Sequence, residues 1–401
     1  MTASIAATIL LAIGLVLWVP VVVLFAQVLA AGRRPSPSVG EAASDGQRPS
    51  VAVLMPAHNE ASGIAAAIDT VLPQFRQGDR LLVVADNCTD DTAAIAAARG
   101  AEVIERRDLD RRGKGYALDH GVRHLAARPP EIVIVVDADC AVAPGSIDRL
   151  AFDCRQRRRP VQALYLMRAP PGGGLGSRMA EFAWAVRNEV RPLGWQRLGG
   201  PCQLMGTGMA FPWPLISSAS LSSGSLVEDM QLGLELAAAG SPPCFNVSAL
   251  VTSTFPTTRE GSLEQRTRWE HGHFEMIATQ GLPLLWKGLR RRRFALAGMA
   301  LDLCVPPLAA LALALLALAT CSAVVAMASG RILPLGLALL ELVLVAAAVG
   351  AAWRQVGRRS VTLGELLSAP GYMLAKIPIY VRLFTARQMQ WIRTRRDGGE
   401  S

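Results

Sequence analysis

Several short groups of polar residues in this 401-residue chain could do chemistry. Asp137-Ala138-Asp139 follows the apolar run Ile132–Val136. Two carboxylates one residue apart point the same way while the chain stays extended. At a strand end they can reach a hard divalent cation, Mg²⁺ or Mn²⁺, and the phosphates it bridges. An isolated Asp-x-Asp is more often a surface turn; the run before it favours the metal. Glu228-Asp229 follows a Ser-rich loop and opens a helical stretch. Carboxylates are favoured at a helix N-terminus whatever their role, but one placed there can also take a proton from a hydroxyl.

Gln265-Arg266-Thr267-Arg268-Trp269 is the more specific group. Arg266 and Arg268 suit oxygen-rich anions such as a diphosphate, and Trp269 offers an apolar ring face. The same residues would also suit a helix lying on a membrane with snorkelling arginines. His271 and His273 follow, but no third ligand is near, which argues against zinc. Lys114, between Gly113 and Gly115, is the only lysine before Lys287. At the start of a helical stretch it could meet a phosphate; a solvent-facing helix start is the plainer alternative. Gly206-Thr207-Gly208 lets the backbone approach something closely, or marks a strand bend. There is no GxGxxG after the first apolar run and no GxxxxGK[ST]. Dinucleotide and P-loop chemistry lose their main support.

These groups need elements to position them. Apolar β-branched runs at 51–55, 80–85, 101–105 and 132–136 alternate with helical spacing at 61–72, 91–98, 115–126 and 144–157. Such alternation predicts an α/β domain with a mostly parallel sheet covered by helices. In such sheets ligands gather at the carboxyl ends of the strands. Pro56-Ala57-His58-Asn59-Glu60, Asp86–Asp90 and Asp137–Asp139 should therefore converge.

Outside that domain the chain is membrane-like. Its mean hydropathy is +0.30, with 51% hydrophobic and 18% charged residues, which excludes a disordered chain. No charge occurs before Arg33, more than the ~20 apolar residues a span needs. Without a basic start or a small-residue cleavage pattern this reads as an anchor rather than a signal peptide. Further spans are expected between Asp302 and Arg331 and from Ile332 to about Trp353, with Glu341 inside the latter. The expected organisation is a transmembrane helix at 1–34 and a linker at 35–49. The α/β domain follows at 50–280, a basic interfacial segment at 281–297 and two spans at 298–353. A basic tail at 354–401 ends the chain, with an interfacial helix or hairpin at 360–384. Of the +9 formal charge, the segment 281–297 carries +5 and the tail +6, leaving 35–280 at −3. Positive charge beside apolar spans is a membrane pattern, not a nucleic-acid footprint. It places the N-terminus outside and the domain in the cytoplasm. Seven cysteines without a CxxC pair suit a reduced compartment.

Taken together, the groups at 56–60, 86–90, 113–118, 137–139, 228–229 and 265–269 resemble, in order and spacing, the membrane-bound family 2 glycosyltransferases. Cellulose, chitin and hyaluronan synthases belong to that group. The resemblance covers roughly residues 50–280. It implies a GT-A fold and a nucleotide-sugar donor, most often UDP-linked. Ala57, Glu60 and Asp86 match nucleoside-holding positions, Lys114 and Asp137 donor-contacting positions, and Asp139 the metal ligand. Asp229, beside Glu228, matches the catalytic base of a T-E-D motif in which Val227 replaces Thr. Gln265, Arg268 and Trp269 match the Q-x-x-R-W motif at the diphosphate and acceptor end, where Gly206 and Thr207 are also expected. A single inverting displacement onto a saccharide acceptor in cell-envelope polysaccharide synthesis, at a bacterial inner membrane, follows from that likeness. Three spans are few for a polymer pore. The alternatives are therefore a partner or homo-oligomer for export, a single transfer to a lipid, or a non-catalytic nucleotide-sugar-binding subunit.

Overall fold

The computed structural model describes residues 2–32, 48–222, 225 and 227–385, except for the side chains of Thr2, of Arg259 and of 382–385. Arg33, Arg34, most of the linker and the tail beyond 385 lie outside the described residues. The chain divides into two compact units.

One unit comprises the described residues of 48–172 together with Pro201–Gly272. Its strands are β1 (Val51–Ala57), β2 (Arg80–Asp86), β3 (Glu102–Arg106), β4 (Ile132–Val135), β5 (Ala141–Val142), β6 (Val161–Arg168), β7 (Met209–Pro212) and β8 (Cys244–Thr254). They form one sheet in the order β3-β2-β1-β4-β7-β6-β8-β5. The first four run parallel, with Val53 beside Leu81 and Ile134. β7 pairs antiparallel with both β4 and β6, and β6 and β8 are again parallel. Each alternating strand and helix expected between residues 51 and 157 is present, within three residues at its start and two at its end.

The strands at the middle of the sheet are apolar on both faces because helices cover both. Ala52, Leu54, Leu82, Val84, Val133 and Val135 point to one face and pack on the helix Lys114–Leu125. Gly121 makes that packing close: a Cβ there would stand 2.4 Å from Leu54 Cδ1. The sheet end of this helix is thereby fixed, and its first residue is Lys114.

The other unit gathers the N-terminal helix Thr2–Ala31, Gly173–Gly200 and the described residues from His273 to 385. Three of its helices, Ala3–Ala31, Leu308–Ser329 and Leu333–Gln355, are long and apolar enough to cross a membrane. The short helix Arg191–Arg197 lies directly on the first of them, since a Cβ on Gly194 would fall 1.7 Å from the Gln27 carbonyl oxygen. A buried polar knot fixes the contact: Arg191 donates to Gln27 Oε1 and to Asp302 Oδ1, both at 2.9 Å. Unpaired, that guanidinium would cost several kcal/mol to bury; paired, it fixes one arrangement of three elements. Residues expected at the interface, 360–384, fold as short helices at Leu363–Leu367, Ala369–Leu374 and Ile377–Thr385.

Candidate active site

The loops after β1, β2 and β4 meet at one edge of the sheet, as the carboxyl-end rule requires. Cross-links hold them there. His58 Nδ1 lies 2.6 Å from the Asp86 carbonyl. Thr89 N–H donates to Asn59 Oδ1 at 2.7 Å, and Ala61 N–H to Asp90 Oδ2 at 3.1 Å. Asn59 and Asn87 both take the left-handed conformation, φ 54° and 52°, which asparagine tolerates better than most residues.

A cleft of about 180 Å³ opens at this edge. Ala57, Glu60, Asp86, Lys114, Asp137, Asp139, Gln265 and Arg268 all line it. These were expected separately to hold a nucleoside, a diphosphate and a metal. Trp269, partly buried, is not among the lining residues.

Lys114 is the electrostatic centre. Its ammonium pairs with Asp137 Oδ1 and donates to the Gly206 carbonyl at 2.6 Å. Burial opposes its charge, but Asp137, Glu228 and Asp229 outweigh that and raise its pKa above the ordinary lysine value. Burial likewise raises Asp137, against the pull of Lys114 and with the push of Asp139. Glu228 is raised to about 7 by burial and by the charge of Asp229. Both residues open the helix Glu228–Ala239 and line a second, narrower slot with Gln231, Glu235 and Ser220.

Gly206-Thr207-Gly208 is both a strand bend and a close approach. Gly206 and Gly208 have φ of 89° and 65°, and β7 starts at the next residue. A Cβ on Gly206 would lie 3.4 Å from Asp229 Oδ2. Thr207 Oγ1 accepts from the Asp137 backbone N–H at 3.0 Å. The motif therefore holds Lys114 and Asp137 in place and passes close to Asp229.

Three contributors were not anticipated. Gln162 on β6 is fully buried; its Nε2 donates to the Thr207 carbonyl at 2.9 Å, and its Oε1 accepts from Met205 N–H at 2.8 Å. A glutamine in the run Val161–Met167 was the available signal, since a buried amide must find partners. Arg106, at the end of β3, pairs with Asp86 Oδ1 at 2.6 Å. Cys140 lies beside Asp139, donating its thiol to Oδ1 at 3.5 Å.

Among the described residues, Asp137, Asp139 and Cys140 place ligand atoms within 4.8 Å of one another. Burial pushes the Cys140 thiol well above its usual range, and Asp139 and Asp137 add to that. Two carboxylates thus make up most of the donor set. That set suits a hard cation rather than a thiolate-bound one. His271 and His273 are not part of the group. Instead His273 Nε2 meets the Leu303 carbonyl at 2.9 Å, and burial lowers its pKa to about 3.

A family model described as "Glycosyltransferase like family 2" matches residues 49–272. An uncharacterized glycosyltransferase of Mycobacterium tuberculosis is 39% identical over 122 residues, 29% of this chain and 51% of that protein. A glucosyl-3-phosphoglycerate synthase of Mycobacterium tuberculosis is 36% identical over 113 residues, 26% of this chain and 34% of that protein. The chain thus spans about half the length of the first relative and a third of the second. Among solved structures, a mannosyltransferase of Pyrobaculum calidifontis, in complex with GDP-Man and Mn²⁺, aligns with a TM-score of 0.55. It covers 96% of this chain and 100% of its own at 18% identity, a likeness of fold. The match to the family model takes in the whole cleft, from Pro56 to Arg268, and more than half the sequence: this chain belongs to glycosyltransferase-like family 2.

Proposed function

We propose that the enzyme moves a sugar from a nucleotide-sugar donor, UDP-linked, to a saccharide hydroxyl in a single inverting displacement. The observation that carries this reading is the shared cleft of Asp137, Asp139, Lys114, Gln265 and Arg268, with Asp229 in the neighbouring slot and close to Gly206, whose carbonyl meets Lys114. A divalent cation, Mg²⁺ or Mn²⁺, held by Asp139 with Asp137 beside it would neutralise the departing diphosphate. Lys114 and Arg268 bind the same phosphates from the protein side, and Lys114 exchanges its contact with Asp137 for them. Asp229 takes the proton of the acceptor hydroxyl. As the acceptor oxygen bonds to the anomeric carbon, the bond from that carbon to the diphosphate oxygen breaks. The electron pair leaves with the nucleoside diphosphate. Trp269 offers its ring to the acceptor end. The three apolar helices anchor the enzyme in a bacterial inner membrane with the N-terminus outside and the cleft in the cytoplasm. The product belongs to the cell envelope.

The test incubates membranes carrying the protein with Mn²⁺ and a panel of labelled nucleotide sugars, supplying saccharide and lipid acceptors. Nucleoside diphosphate release from one donor, lost in Asp139→Ala, supports the reading and names the donor. Release only with the lipid acceptor would replace the saccharide by a glycolipid product. Release from no donor would turn the site into a binding subunit.

A further inference from the structure

We infer that Arg106 is a positioning residue that sets the nucleobase selectivity of the donor site by holding Asp86 in one orientation. This rests on the donor reading above and goes beyond it in naming which bases the site takes.

Asp86 ends β2, and the Asp137–Asp139 pair follows β4, two strands away across β1. Neighbouring strands lie about 4.8 Å apart, so the two carboxylate sites are roughly 10 Å apart. With the diphosphate held at Asp139 and Lys114, Asp86 stands at the far, base end of the same cleft.

Asp86 is 7% exposed, and both hydrogen bonds to its side chain fall on one oxygen. Arg106 Nη1 donates to Oδ1 at 2.6 Å, and Asn87 Nδ2 at 3.1 Å. Asp86 lines the cleft, so Oδ2 remains to accept from a bound ligand. Arg106 is itself over-determined. Its Nη2 donates to Asp108 Oδ2 at 3.0 Å and to the Arg111 carbonyl at 2.8 Å, and its guanidinium carbon lies 5.5 Å from the Tyr116 ring centre. Tyr116 is two residues past Lys114. Only a planar fork can serve Asp86 and Asp108 together.

The consequence is chemical. A carboxylate oxygen fixed in this way accepts hydrogen bonds and cannot donate. It fits a base that presents a ring N–H: the imide of uracil or thymine, or the N1–H and amino group of guanine. Cytosine presents a lone pair at the corresponding nitrogen and is repelled. Rejection of this kind is strong because a buried polar group is left unpaired. Arg106 also balances the Asp86 charge, which would otherwise oppose an anionic nucleotide in a cleft already holding Glu60, Asp137 and Asp139.

The test uses the purified full chain with Mn²⁺ and measures binding of UDP, GDP, dTDP and CDP, then donor KM and kcat. Wild type is expected to bind at least one of the first three about tenfold or more above CDP. Arg106→Met should raise donor KM at least about tenfold, leave kcat at saturating donor within about twofold, and erase the preference over CDP. Arg106→Lys, which keeps one charge but loses the fork, should restore affinity in part and selectivity little. Should Arg106→Met not fold, the lysine variant carries the selectivity test alone. Unchanged discrimination in the Arg106 variants that fold, or a fall in kcat with KM constant, overturns the inference while leaving the donor reading intact. Wild type that binds none of the four nucleotides overturns the donor reading itself.

Discussion

At the scale of single residues, carboxylates crowd the cleft around one ammonium. Asp137, Glu228 and Asp229 all act on Lys114, and the cost appears in Glu228, raised to about 7 from an ordinary 4.5. Between those values the folded protein binds more protons than the unfolded chain, so stability falls as pH rises through that window. Below the lower value the penalty vanishes; above the upper it is complete. Glu228→Gln removes it. The variant should melt at a higher temperature than wild type at pH 8, and the gap should close by pH 4. A gap that is absent at pH 8, or that widens on acidification, would show that Glu228 is not the strained group.

Elements carry these residues, and they were the most legible part of the sequence. The β-branched runs and their intervening helical spacing marked the first four strands and the helices between Val51 and Arg157, but not the two-residue β5, because run length and β-branched content separate a buried strand from an amphipathic helix. The site was legible where it follows strand ends, at Asp86 and Asp137. The contacts that unite it were not. Gln162 and Thr207 meet across 45 residues of chain, and Lys114 reaches Gly206 across 92; periodicity says nothing of such pairings. The same holds for Gly173–Gly200, whose place beside the N-terminal helix depends on the absence of a side chain at Gly194. Gly208 shows how closely elements constrain the site. Its φ is 65°, and a Cβ there would stand 2.8 Å from Ala163 Cβ and 2.9 Å from Val251 Cγ2. Gly208→Ala should therefore cost about 2 kcal/mol of stability from backbone strain and overpacking. It should also raise donor KM, because Thr207 and Gly206 move with it. Thermal unfolding and donor titration of the variant check both; a variant as stable as wild type would mean the β6–β8 layer yields freely.

Over the whole molecule, charge and hydropathy divide between tasks. The basic clusters at 290–293 and 354–359 flank apolar helices, a pattern that sets orientation in membrane proteins, while in the sheet unit Lys114 and Arg268 are the cations that line the cleft. The orientation proposed here predicts that an antibody reaches an N-terminal epitope tag on intact spheroplasts, and reaches a C-terminal tag only after permeabilisation. The reverse pattern would place the cleft on the outer face, away from cytoplasmic nucleotide sugars. What the whole assembly is proposed to do is deprotonate an acceptor at Asp229 while the donor is held by Asp139, Lys114 and Arg268. The most direct measurement compares wild type with Asp229→Asn in purified form, using the donor that wild type turns over. Donor affinity and nucleoside diphosphate release are measured on the same sample. The mechanism predicts donor binding within about threefold of wild type and release reduced by at least about a hundredfold. Release near the wild-type rate from Asp229→Asn would contradict it.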